Sequence, residues 1–124
     1  MGTRSVVQAG GRELHAELSD SAAGRVVTAA LPLTVRMARW GDEYYGSVGL
    51  EIPEDGTSRE LMEVGEIAFW PPGKALCVFF GRTPASTDER PRAASAVLPV
   101  GRVSADLDSL KGMGSSVRVV FRRE

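Results

Sequence analysis

GEIAFWPPGKALCVFFGRTP, residues Gly65–Pro84, decides the fold. Glu66 to Trp70 and Ala75 to Phe80 are short apolar runs bounded by turn formers, as buried strands are. Pro71-Pro72-Gly73 supplies the turn between them, and Gly81 with Pro84 closes the second. The chain is only 6% aromatic, yet Phe69, Trp70, Phe79 and Phe80 all fall here, so its bulky apolar surface concentrates in this hairpin.

Working outward, the rest of the chain is also built of short strands. Arg4 to Gln8 and Arg12 to Leu18 flank Ala9-Gly10-Gly11, and Leu14, Ala16 and Leu18 alternate with Glu13, His15 and Glu17; this is an opening hairpin. Leu33, Val35 and Met37 lead to the turn Trp40-Gly41-Asp42. Tyr44, Gly46, Val48, Leu50 and Ile52 then alternate with polar and small residues and predict a second hairpin, in which the glycines mark a sharp bend or a close approach. Pro53 to Glu63 reads as a polar surface loop and Gly81 to Ala94 as a long polar loop of the kind that carries function or moves. Ser95 to Val103 is a further strand, with Pro99 favouring an edge or a bulge, and Ser116 to Arg122 is the last.

Ser19, Asp20 and Ser21 are N-cap residues ahead of Ala22, Ala23, Val26, Val27, Ala30 and Leu31 at helical spacing. One helix is therefore expected over about 20–31, its small apolar face laid over a barrel mouth or sheet edge. A helical turn is expected over about 106–111. About eight strands joined by short turns, without alternating helices, predict a mainly β fold: a closed or nearly closed antiparallel barrel. No linker or repeat divides residues 1–124, so a single domain is expected.

Composition narrows the function. Fifteen basic and sixteen acidic side chains leave a net charge of −1, which provides no field for nucleic acid or an anionic membrane. No apolar run has the length of a membrane helix. The first fifteen residues lack a signal peptide's apolar core, and Val6 breaks the myristoylation pattern begun by Gly2. With the single Cys77 excluding an internal disulfide, a cytoplasmic protein is expected. One His and one Cys far apart make no zinc site, and no phosphate-binding glycine motif is present; neither metal nor cofactor is expected.

Ordered pieces along the chain carry a resemblance: Trp40-Gly41-Asp42-Glu43 with Tyr44-Tyr45; Val64-Gly65-Glu66-Ile67; Trp70-Pro71-Pro72-Gly73-Lys74-Ala75-Leu76-Cys77; Phe79-Phe80-Gly81-Arg82-Thr83-Pro84; Ala94-Ser95-Ala96-Val97; Val100-Gly101-Arg102-Val103; and Leu107 through Leu110-Lys111-Gly112. In these the chain resembles a family of small uncharacterised prokaryotic proteins with a cyclophilin-like β-barrel. The resemblance implies an eight-stranded barrel with a helix over one end, and it implies no activity. Prolyl isomerases share the architecture, but their own Arg-Phe pair followed by a Gln-rich strand is not in this sequence, and shared architecture does not transfer function.

Candidate site residues follow from strand parity. Neighbouring residues on a regular strand face opposite sides, so one of Tyr44 and Tyr45, and one of Phe79 and Phe80, belongs to the outer face. An outer aromatic is covered by the helix or lines a groove or partner surface. Tyr44, Tyr45, Trp70, Phe79 and Phe80, with Arg82, Thr83 and Ser86 from the long loop, outline a partly apolar cleft. The expected function is a non-catalytic binding module for a small molecule or an extended peptide. The alternatives are a weak prolyl isomerase, with Arg36, Arg39 or Arg82 as the donor, or a subunit of a larger hydrolase or carboxylase-type enzyme. A homodimer paired through an exposed aromatic strand is a third reading. His15 is expected in solvent, Cys77 as a small buried hydrophobe with a raised pKa, and Asp42, Glu43 and Glu51 as turn and edge charges.

Overall fold

The alternation of Leu14, Ala16 and Leu18 produces the expected hairpin: β1 (Thr3–Ala9) pairs antiparallel with β2 (Arg12–Leu18). The computed structural model describes residues 2–104 and 106–124. Beyond β2 the chain enters α1 (Ala22–Ala30), shorter than the spacing predicts because Ser21, rather than Asp20, is the cap; its hydroxyl accepts the Gly24 N–H at 3.1 Å. Asp20 pairs with Arg25 outside the helix instead. Ala23 and Val27 on one face of α1 are buried in the barrel core, so the helix does cover an end of the barrel.

Six more strands complete a ring. They are β3 (Leu33–Arg39), β4 (Glu43–Ser47), β6 (Glu66–Trp70), β7 (Ala75–Phe79), β8 (Arg92–Val103) and β9 (Ser116–Arg123). Each is antiparallel to its neighbours in the order β2-β1-β9-β3-β4-β7-β6-β8, and β8 returns to β2 with Ala16 opposite Val103 and Leu18 opposite Gly101. The result is a closed eight-stranded antiparallel barrel, which leaves none of its strands as a free edge.

Three elements differ from their sequence readings. The alternation from Tyr44 to Ile52 is strand only as far as Ser47, because its partner β7 begins at Ala75, opposite Ser47. β8 begins at Arg92 rather than Ser95 and runs unbroken through Pro99, which sits where the register with β6 shifts: Ile67 faces Gly101 but Ala68 faces Pro99. That shift is a bulge, one of the two sites expected for Pro99. The helical turn expected at about 106–111 is present, as the 3-10 helix Leu107–Gly112. The loop read as Pro53–Glu63 contains an extra strand, β5 (Arg59–Leu61), bound to the outer half of β8. Arg59 fixes β5 to the barrel through both oxygens of Glu66 at 2.7 and 2.9 Å, and Met62 behind it is buried.

β5 creates a second layer. Leu76, Val78 and Phe80 point into the barrel, whereas Cys77 and Phe79 point outward and are nevertheless buried with Met62, Ala68, Ala93 and Val97. A strand apolar on both faces is a strand covered on both faces.

The bend expected at Gly46 is a close approach. A Cβ there would clash with the Arg36 carbonyl oxygen and lie 2.7 Å from Val35 Cγ1. Gly46→Ala is expected to cost about 1–3 kcal/mol by overpacking. Gly112→Ala, where an added Cβ meets nothing within 4 Å, should stay within about 0.5 kcal/mol. Paired urea titrations of the two variants check the contrast.

Candidate functional site

A cleft of about 260 Å3 opens on the outer face of β4, β7 and β6, beside the first half of β8. Strand parity decides what faces it. On β4, Tyr44 turns inward, and Glu43 and Tyr45 turn outward to line the cleft. On β7 the outward residue opposite Tyr45 is Cys77, which also faces Ala68 of β6. Trp70 closes the end of β6, Ala93, Ala94 and Val97 come from β8, and Trp40 enters from the turn before β4.

The walls are held rigidly. The Trp70 indole N–H donates to Ser95 Oγ at 2.7 Å. Its ring edge rests on Gly73, where a Cβ would lie 2.8 Å from Cζ3. Trp40 and Glu43 are joined across their turn by reciprocal backbone hydrogen bonds of 2.8 and 3.2 Å. Gly41 within that turn adopts φ +61, and a Cβ there would lie 2.9 Å from the Thr83 Cα. Only glycine combines that conformation with that contact. The Asp42 N–H donates to the Arg82 carbonyl at 2.7 Å, and the Phe80 N–H to the Asp42 carbonyl at 2.8 Å. The Trp40–Glu43 and Phe79–Pro84 segments, far apart in sequence, thus dock on one another at the rim.

Glu43 is the unusual member. It is 5% exposed, and its Oε1 is buried with no hydrogen-bond partner. Burial pushes its pKa up to about 7, partly offset by the Cys77 thiol beside it. Cys77 is pushed upward in turn, first by its own burial and then by the Glu43 charge. Buried carboxylates almost always find partners, so the reading of Glu43 as a turn charge is overturned: its side chain turns away from solvent to the foot of the cleft. Glu51 fits the surface reading, being ion-paired with Lys74.

Of the eight residues expected to form the cleft, Tyr45 and Trp70 line it. Tyr44 and Phe80 are inside the barrel, stacked with ring centroids 5.5 Å apart, and the Tyr44 hydroxyl donates to the Gly114 carbonyl at 2.5 Å. Phe79 lies buried in the outer layer. Arg82 pairs with Glu89 at 3.2 Å. Thr83 and Ser86 are spent on their own loop: the Thr83 hydroxyl donates to the Arg92 carbonyl and the Ser86 hydroxyl to the Arg90 carbonyl, at 2.5 and 2.8 Å. The cleft residues missed in sequence are Trp40, Glu43, Cys77, Ala93, Ala94 and Val97. Parity alone places Glu43 beside Tyr45 and would have found it.

The arginines are committed elsewhere. Arg39 donates to the Gly41 and Lys111 carbonyls and to Asp42 at 2.6–2.8 Å, its guanidinium 5.2 Å from the Phe80 ring centroid. Among the described residues Arg36 reaches only Ser116, at 3.5 Å. His15 is exposed, 3.1 Å from Glu124. Among the described residues no cluster of His, Cys, Asp or Glu is placed to hold a metal, and no helix is long and apolar enough to cross a membrane.

A closed eight-stranded barrel with one covering helix and a cleft on its outer wall defines a barrel of the cyclophilin type. The chain belongs to the cyclophilin-like family, whose profile matches residues 4–122. It is similar to the solution structure of the hypothetical protein AF2241 from Archaeoglobus fulgidus, at 34% identity and a TM-score of 0.79, over 99% of this chain and 95% of that one. No curated protein matches it.

Proposed function

We propose that this protein is a binding module and that its site is the outer cleft of β4, β7 and β6. The observation that carries the reading is Glu43: a buried carboxyl whose Oε1 has no partner, at the foot of an otherwise apolar cleft. An apolar wall with few, convergent polar groups is how small-molecule sites are built, and an orphaned buried acceptor is a group that a ligand can satisfy. The volume suits a small molecule or one side chain of an extended peptide. Prolyl isomerisation is less well supported, because it asks for a donor to the amide and the three candidate arginines point to other partners.

The test is a metabolite and peptide screen followed by amide and indole NMR shifts. Ligands are expected to move the Trp40 and Trp70 indole signals together with Tyr45 and Cys77, and Trp70→Ala should abolish those shifts. Hits that map only to other surfaces, or no hits at all, would remove the cleft from consideration.

A further inference from the structure

We infer that the cleft takes a ligand presenting a cationic nitrogen, a primary or substituted ammonium, seated against Glu43 and among Trp40, Tyr45 and Trp70. This inference rests on the cleft being the binding site and adds the chemistry of its occupant.

Three observations converge. First, the buried polar atom of the cleft that lacks a partner is an acceptor. Glu43 Oε1 has no hydrogen-bond partner, while the Trp70 N–H is already given to Ser95. An occupant that brings a donor satisfies that oxygen. Second, among the described residues no salt bridge reaches Glu43: Arg39 pairs with Asp42, Lys74 with Glu51 and Arg82 with Glu89, and Arg92, whose Nε is buried without a partner, lies 3.6 Å from Glu60. None supplies the counter-charge. Third, the walls carry two indoles and a phenol, whose electron-rich faces attract a cation. A carboxylate sharing a cleft with three aromatic side chains favours a positive occupant over a neutral one.

The same geometry couples binding to a proton. With its pKa near 7, the free carboxyl is about half protonated at neutrality, and a seated cation holds it ionised. Cation binding therefore releases a proton and tightens as pH rises. The groups around Glu43 leave this coupling to it alone. Cys77 on β7 is pushed toward its neutral form, Asp42 and Arg39 in the adjoining turn neutralise one another, Arg92 at the head of β8 pairs with Glu60, and the facing β6 residues Ala68 and Trp70 do not titrate.

The probes are butylammonium and isobutylammonium, each with N–H groups to donate, set against their uncharged isosteres butanol and 2-methyl-1-propanol, followed by NMR from about pH 5.5 to 8.5. The ammonium compounds should shift the Trp40 and Trp70 indole signals and bind about tenfold or more tighter than the isosteres. Their affinity should rise about tenfold per pH unit well below the carboxyl pKa and level off above it. Glu43→Gln, which keeps the side-chain shape and removes the charge, should lose both the preference and the pH dependence. Isosteres that bind the cleft as tightly as the ammonium compounds, or affinity flat across that range, would overturn the cationic assignment while leaving the cleft as the site. If no compound of any charge perturbs the cleft signals, the site itself is lost.

Discussion

Tyr44→Ala is expected to lower stability by about 3–5 kcal/mol, as deletion of a buried aromatic does. Tyr45→Ala, one residue along, should cost well under that. Tyr44 is 1% exposed, stacks on Phe80 inside the barrel and bonds the Gly114 carbonyl. Tyr45 is 37% exposed and lies on the other side of the sheet. Tyr44→Phe separates the contributions: it keeps the ring and loses only the hydroxyl's bond, for about 1–2 kcal/mol. Against a total that for a domain of this size is about 5–15 kcal/mol, the alanine variant stands near the edge of folding. Urea or thermal unfolding of the three variants decides it, and equal losses for Tyr44→Ala and Tyr45→Ala would refute the assigned parity of β4.

The second large effect is a pH dependence set by Glu43. Its pKa rises from an ordinary 4.5 to about 7 on folding, so between those values the folded protein holds more protons than the unfolded chain. Stability is then greatest below about pH 4.5 as far as this group is concerned, and it falls as pH rises to about 7. At about 1.4 kcal/mol per unit, the loss amounts to about 3 kcal/mol. Asp20, Asp55 and Asp88 shift the opposite way, held low mainly by hydrogen bonds from Arg25, Thr57 and Arg90. What they contribute is lost only as pH drops toward and below the ordinary carboxylate range, outside the Glu43 window. Glu43→Gln should flatten the curve between pH 5 and 8 and leave the variant more stable than the parent at pH 8. Denaturation midpoints at the two pH values measure it; a parent curve without the fall, or a variant that keeps it, contradicts the burial of this carboxyl as the cause.

Much of the barrel is legible in the chain because its signals are local. Alternation in Arg12–Leu18 and in Leu33–Arg39, the cap at Ser21 and the turn at Trp40–Asp42 each sit within a few residues, and each produces the element it predicts. The outer layer is legible only in part, because it is assembled from segments distant in sequence. β5 has three residues in a polar loop and acquires meaning only through Arg59 on Glu66 and Leu61 against Arg92. Without that layer, Phe79 looks like a surface aromatic and Glu43 like a turn charge. One trace of it does exist in the sequence: Ala75–Phe79 is apolar at every position, where a strand with one wet face would alternate.

Ser5 stands opposite Arg123 in the ladder of β1 and β9, and those two strands lie half a turn around the ring from β6 and β7. The head and tail of the fold are therefore neighbours on the wall opposite the cleft. A tether or fused domain attached at either end would hold the molecule by its back, with the aromatic mouth turned outward toward whatever diffuses past. For the same reason the backbone could be joined there and reopened at an exposed loop such as Glu54–Gly56 without disturbing the ring.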